Sequence, residues 1–301
     1  MKKILFLISL FLIAATILCG CNANPDTPVD TDLPVTDYSY VTYTLDGVDY
    51  VTLTKYIGQA TDVAIPAELD GMTVTEIGAE CFAGTSVVSV TVPDSVIVIE
   101  YAAFSGCESL ASITLPENML YLGQQVFMNC TSLKEITLPA TGITEYGWGM
   151  FLGSGLEKVS FREGMEVLPA NMFLGCKLKE VALPSSVKTI QQGALGACEN
   201  LTSITLSEGL TTVEAAAFMN NPSLTEIVIP ASVETITEYA FVGCEALTKV
   251  KFEGNAPAFK NADEDLSAVY GGFEPKYTIY YHEGADGFTT PEWEGFPTEI
   301  W

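Results

Sequence analysis

Leu201 to Ser223 reads LTSITLSEGLTTVEAAAFMNNPS, and Leu224 to Ala246 reads LTEIVIPASVETITEYAFVGCEA. The two stretches match slot for slot, and the pattern extends in both directions. The opening residue recurs as Val87, Leu110, Leu133, Leu156, Leu178, Leu201, Leu224 and Leu247, at steps of 23, 23, 23, 22, 23, 23 and 23 residues. Three residues on stands an aliphatic side chain, from Val90 and Ile113 to Val250. Two further stands another apolar residue, from Val92 and Leu115 to Phe252, often followed by proline, as at Pro93, Pro116, Pro139, Pro184 and Pro230. Most units then carry a second apolar pair, such as Val96/Ile99, Val187/Ile190 or Val233/Ile236. An aromatic slot follows at Phe104, Phe127, Phe151, Phe173, Phe218 and Phe241, with Leu195 in one unit. The closing slot holds Cys107, Cys130, Cys176, Cys198 and Cys244, or Ser154 and Asn221.

In L-x-x-I-x-L the last three positions alternate, so the fourth and sixth point inward from a short strand. Proline then ends that strand's pairing. The A-F-x-x-C segment fits one turn of α- or 3-10 helix on the opposite wall. One coil buries too little apolar surface to offset the cost of ordering it, so coils must stack on one another. The spacing therefore predicts a solenoid with a parallel β-ribbon on one face and short helical or 3-10 turns on the other.

These units resemble the BspA-type leucine-rich repeat of bacterial surface proteins. Ala60 to Gly84, ATDVAIPAELDGMTVTEIGAECFAG, is similar to that family's usual first unit, and YTIYYHEGADGFTTPEWEGFPTEIW to its common terminal segment. The resemblance covers about Tyr38 to Trp301. It implies a leucine-rich repeat solenoid, α/β or mainly β, on a cell-surface or secreted protein, often an adhesin for host or matrix proteins. It implies no shared ligand and no shared catalytic motif.

The start of the chain carries an address. Residues 1–21 read MKKILFLISLFLIAATILCGC, a basic start and an apolar run of secretory-signal type, too short and wrongly flanked for a transmembrane span. A small residue, Gly20, precedes Cys21, which looks like a lipobox. The reading is cleavage before Cys21 and acylation of its thiol and new amino terminus, a stable anchor to a membrane. An ordinary secretory signal that ends in Cys is the alternative. Residues 22–37, rich in Pro, Thr and Asp, read as an extended tether.

Three segments complete the organisation. Residues 38–86 read as an N-terminal cap with the first coil, 87–253 as the repeats, and 254–301 as a C-terminal cap. Asp46-Gly47 signals a hairpin between alternating runs, and Asp70-Gly71 lengthens the first coil. The last segment holds Tyr270, Phe273, Tyr277, Tyr280, Tyr281, Phe288, Trp293, Phe296 and Trp301. Those aromatics either cover an open solenoid end or form a ligand platform.

Composition narrows the function. Lys and Arg number 13 against 38 Asp and Glu, a net charge of −25, which opposes binding to nucleic acid or anionic lipid. The same charge predicts a monomer. The one histidine, His282, has no nucleophile signature beside it and reads as a strand or turn residue of the cap. Asp263-Glu264-Asp265 lacks the alternating spacing of a calcium loop and reads as solvated. No C-x-x-C pair exists, and the recurring cysteines read as small buried core residues rather than disulfides. No catalytic residue, cofactor or metal is expected.

Outward positions of the ribbon are where repeat proteins bind. The fifth slot runs Thr91, Thr114, Thr137, Ser160, Ala182, Thr205, Val228, Lys251. Beside it, Lys134-Glu157-Lys179 and Glu135-Lys158-Glu180 alternate in sign, a pattern that stabilises the sheet and cancels its own field. One unit carries an extra residue and reads TEYGWGMF, placing Tyr146 and Trp148 before Phe151. The Trp148 slot holds Tyr101, Gln124, Ala170, Gln192, Ala215 or Glu238 elsewhere, a spread that indicates exposure. An exposed tryptophan is either idle or a binding anchor. The leading expectation is a non-enzymatic surface lipoprotein binding a protein partner. Tyr146, Trp148, Tyr281 and Trp293 are the candidate ligand contacts. A glycan-capture lipoprotein, resting on Trp293, Tyr281 or Trp148, is the alternative, and a passive spacer the third.

Overall fold

The computed structural model describes residues 37–139, 145–260, 277–293 and 295–301. Cys21, the tether except Asp37, Asp263 to Asp265, Tyr270 and Phe273 lie outside the described residues. The described chain winds as a β-solenoid of about ten coils with parallel strands.

The first wall is the ribbon read from L-x-x-I-x-L. Its strands include Ser89–Thr91, Ser112–Thr114, Glu135–Thr137, Lys158–Ser160, Glu180–Ala182, Ser203–Thr205, Glu226–Ile229 and Lys249–Phe252. Neighbours pair slot against slot, as in Ser89↔Ser112, Glu135↔Lys158 and Glu226↔Lys249. Val90, Ile136, Val181, Ile227 and Val250 point inward and are buried. The second apolar pair of each unit forms a second parallel wall, with strands such as Val98–Ile99, Tyr121–Leu122, Thr189–Ile190, Thr212–Val213 and Thr235–Thr237. The unit opening at Leu133 keeps register with its neighbour despite its extra residue, Glu145 pairing with Tyr121.

The third wall departs from expectation. Among the described residues there is no helix, and each A-F-x-x-C segment is a run of turns. Hydrogen bonds alternate there. Ala103, Ser105 and Cys107 donate their N–H groups three residues back, to Glu100, Ala102 and Phe104. The intervening Ala102, Phe104 and Gly106 donate instead to Gln124, Val126 and Met128 of the next coil. A helix spends every N–H within its own segment, and half of these serve the neighbour. The alternation requires left-handed backbone two residues before and two after the aromatic slot, at Gln125 (φ 54°) and Asn129 (φ 58°) around Phe127, for example. Glycine fills many of these positions at no steric cost.

Inside the coils the aromatic slot forms a stack. Ring centroids of Phe82, Phe104, Phe127, Phe151 and Phe173 follow one another at 4.9, 5.7, 5.4 and 5.5 Å. Leu195 interrupts the row, which resumes with Phe218 and Phe241 at 5.5 Å.

The closing slot is a row of polar donors. Cys107, Cys130, Cys176, Cys198 and Cys244 point their thiols at the carbonyls of Phe82, Phe104, Phe151, Phe173 and Phe218, at 3.0 to 3.3 Å. Asn221 does the same with its amide, donating to Leu195 and Phe218 carbonyls at 2.9 Å each. Slot residues thus need a donor and a small volume, which Cys, Asn and Ser share. All six cysteines in the described residues are free and buried.

Both Asp-Gly turns are present. Tyr38–Leu45 and Val48–Tyr56 form an antiparallel hairpin about Asp46-Gly47 (φ 50° and 81°), and the second strand pairs in parallel with Met72–Ile77, extending the second wall. Asp70-Gly71 turns a short hairpin, Glu68–Leu69 against Met72–Thr73. At this end Tyr38 and Tyr56 pack on Phe82. At the other, Thr278–Tyr281 and Phe296–Ile300 continue the first wall beyond Lys249–Phe252.

Candidate binding surface

The outward row of the first wall is exposed at Thr91, Thr114, Thr137, Ala182 and Thr205, and half-buried at Ser160, Val228 and Lys251. Ladder pairing is interrupted between Ser112–Thr114 and Glu135–Thr137. A groove of about 530 Å3 lies over these strands, lined by Ser112, Thr114, Glu135, Thr137, Lys158 and Ser160, with the Glu117–Arg162 ion pair (2.5 Å) at its edge. Half-buried Ile113 and Leu115 also line it. The groove therefore offers hydroxyls, an apolar patch and charges of both signs.

The expected charge ladder is half realised. Glu157 bridges Lys179 at 2.7 Å and Lys134 at 3.9 Å. The hydrogen bond and charge of Lys179 hold the Glu157 carboxyl below the usual range. No ion pair joins Glu135, Lys158 and Glu180 among the described residues. Exposed pairs of this kind contribute little to stability, roughly 0–1 kcal/mol.

The four aromatics singled out from sequence part company. Trp148 is exposed, at 41%. Tyr146 is half-buried on the second wall, and its hydroxyl donates to the Pro139 carbonyl at 2.7 Å. Burial pushes the Tyr146 phenol up to about 12. Tyr281 and Trp293 are both buried. Phe288 stacks on Tyr281 at 4.8 Å and meets Trp293 edge-on at 4.8 Å, and both Phe288 and Trp293 lie on Phe252 of the last repeat. A ligand reaching those two rings must first open this cluster. His282 is exposed, just after the strand Thr278–Tyr281, and its ring stacks on Trp301 at 4.7 Å.

Sequence reading missed a carboxyl pair on the second wall. Glu76 and Glu100 face each other across adjacent coils and share a hydrogen bond, and Thr52 donates to Glu76 at 2.9 Å. Burial, then the Glu100 charge, pushes the Glu76 carboxyl up to about 7. Glu100 is also raised, by burial. Two acids at non-equivalent slots leave no periodic signal, so the repeat pattern conceals them. No group of three or more His, Cys, Asp and Glu side chains converges among the described residues.

The model for the BspA type leucine rich repeat region matches residues 59–179 and 166–263, in 6 copies. The chain belongs to the BspA-type leucine-rich repeat family. Members of the fold have been solved. A leucine-rich repeat protein from Bacteroides ovatus is 20% identical, covers 90% of this chain and 76% of its own, and superposes with a TM-score of 0.58. One from Bacteroides capillosus is 34% identical over 43% of this chain and 97% of its own, with a TM-score of 0.38. A leucine rich cell surface protein from Faecalibacterium prausnitzii is 18% identical, covering 77% and 98%, with a TM-score of 0.35. No curated protein matches the sequence. At 20% identity the Bacteroides ovatus protein speaks for the fold, not the ligand.

Proposed function

We propose that this chain is a non-enzymatic bacterial surface protein that binds a protein partner on the first wall. The observation that carries the reading is the groove between Ser112–Thr114 and Lys158–Ser160, set in an exposed row of small polar side chains. Uncommitted hydroxyls beside half-buried Ile113 and Leu115 suit a protein surface, with Arg162 as an anchor type enriched at interfaces. Membership of the BspA-type family supports display at the cell surface, and the neighbour described as a cell surface protein agrees with it.

Acylation at Cys21 would hold the protein to a membrane, with residues 22–37 as tether. In this reading the hairpin Tyr38–Tyr56 and the cluster around Tyr281, Phe288 and Trp293 act as caps over the two ends of the solenoid. The acidic surface opposes self-association and keeps the chain monomeric.

The test is a binding screen of the chain against matrix proteins, repeated with Arg162→Ala and Thr137→Arg. Saturable binding that survives moderate salt and weakens in both variants is expected. Binding indifferent to both changes would move the site off the first wall.

A further inference from the structure

The turn wall differs from the rest of the surface in charge. Six consecutive coils contribute YAAFSG (101–106), QQVFMN (124–129), WGMFLG (148–153), ANMFLG (170–175), QGALGA (192–197) and AAAFMN (215–220). None of these segments holds an Asp, Glu, Lys, Arg or His, in a chain with 38 acids. The backbone N–H groups of this wall are spent within the coil or on the next one, so the outer face is set by side chains. One slot carries the features. Tyr101 is 42% exposed and Trp148 is 41% exposed, two coils apart in the same position, with exposed Gln124 between them and exposed Gln192 further along. The phenylalanine rungs beneath are spaced at 5.7 and 5.4 Å, which sets the pitch of this outer row.

We propose that the turn wall binds a neutral, extended β-1,4-linked polysaccharide lying along the solenoid axis, with Tyr101 and Trp148 as stacking platforms. The rung spacing is close to the length one hexose adds to such a chain, so one sugar meets each coil. In a two-fold chain alternate sugars present the same face. Rings two coils apart therefore meet equivalent faces, and the apolar C–H surface of each packs on an aromatic plane. Gln124 meets the intervening sugar, where an amide can both donate to and accept from hydroxyls. The six segments bring no charge of their own to a ligand, and the nearest charges are acids at their edge, such as Glu214, which accepts from the Gln192 N–H at 3.1 Å, so the row suits an uncharged ligand. A polyanionic glycan would bring its own charge to an acidic protein and gain no cation here. This site is independent of the first-wall groove, which lies on a different face.

The experiment is affinity electrophoresis of the chain in gels holding hydroxyethylcellulose, β-1,4-mannan or polygalacturonate. Retardation in at least one of the two neutral polymers, and none in polygalacturonate, is expected. Tyr101→Ala and Trp148→Ala should each weaken it about ten-fold or more, and the double variant should abolish it. Both side chains are exposed, so unchanged melting temperatures will show that the variants fold. Arg162→Ala, on the first wall, should bind as the parent does. Failure to bind either neutral polymer overturns the proposal, as does binding indifferent to Tyr101 and Trp148. So does light scattering that shows a dimer dispersed by Trp148→Glu, since the wall would then be a face between two copies.

Discussion

Asn221 offers the sharpest test of how the coils are joined. Its side chain is wholly buried. Its amide nitrogen donates to the carbonyls of Leu195 and Phe218, and its oxygen accepts from the Cys198 N–H, each at 2.9 Å. Asn221→Asp keeps the shape and replaces the nitrogen by an oxygen. Two carbonyls that received a proton then face an acceptor. A buried polar group left unsatisfied costs about 1–3 kcal/mol, so two such conflicts predict a loss of about 3–5 kcal/mol at pH 8. Protonating the new carboxyl restores one donor. The acid therefore binds its proton more tightly in the folded chain than in the unfolded one. The stability attached to that proton is present below the unfolded value near pH 4 and is lost as pH rises, by up to about 1.4 kcal/mol per unit. Urea titrations at pH 5 and pH 8, followed by tryptophan fluorescence, read both effects. Asn221→Cys is the control. It supplies the donor used in five other coils and should stay within about 1 kcal/mol of the parent. An aspartate variant within about 1 kcal/mol of the parent at pH 8, or a loss that ignores pH, would refute the donor-slot account.

The Glu76–Glu100 pair predicts its own pH dependence. Glu76 is raised in the folded chain, so its contribution to stability is intact below about pH 4.5 and disappears as pH climbs towards 7. Glu76→Gln should therefore stabilise at pH 7.5 by about 1–3 kcal/mol and flatten the curve from pH 4.5 to 7.5, measured by urea midpoints against the parent. Equal midpoints at pH 7.5 would count against the pair. The six buried thiols should be inert in the folded state, because burial pushes Cys130 and Cys176, for example, up to about 12. Labelling with Ellman's reagent at pH 8 should be at least about 1000-fold slower than for free cysteine and rise to the free rate in denaturant. Rapid labelling of any of the six buried thiols in the native chain would contradict that packing. Cys21→Ser should remove labelled fatty acid and release the protein from the membrane fraction, and retained label would place the acyl group elsewhere.

Much of the fold could be read from spacing because the physical rules concerned are local. Alternation in L-x-x-I-x-L places Val181 and Ile227 inward whatever lies beside them. Asp46-Gly47 and Asp70-Gly71 declare their turns through left-handed backbone that few residue types accept. The third wall was not legible in the same way. A-F-x-x-C announces a turn, but whether Phe104 donates within its coil or to Val126 depends on a neighbouring coil at the right height. Site residues divided along the same line. Trp148 was read as exposed because its slot tolerates Gln and Glu in other units, and exposed it is. Tyr281 and Trp293 occur once each, with no parallel slot to compare, and composition alone cannot say that Phe288 and Phe252 enclose them. Tyr101 shared the Trp148 slot in plain view. Its significance needed the absence of charge along six consecutive turn segments, a property of no single unit.

The alternating donors of the turn wall bear on how such a chain changes its length. From the coil of Phe82 to that of Phe218, each coil donates to the next through the same positions, as Ala102, Phe104 and Gly106 do for the coil at Gln124. On this wall, successive junctions therefore use the same donors and acceptors. A genetic duplication or deletion of one 23-residue unit, cut at any matching pair of slots, recreates both seams without a new contact having to evolve. Recombination between units can lengthen or shorten the reach of the molecule in single steps, and the seam at Asn221 shows that even the linking atom can be exchanged.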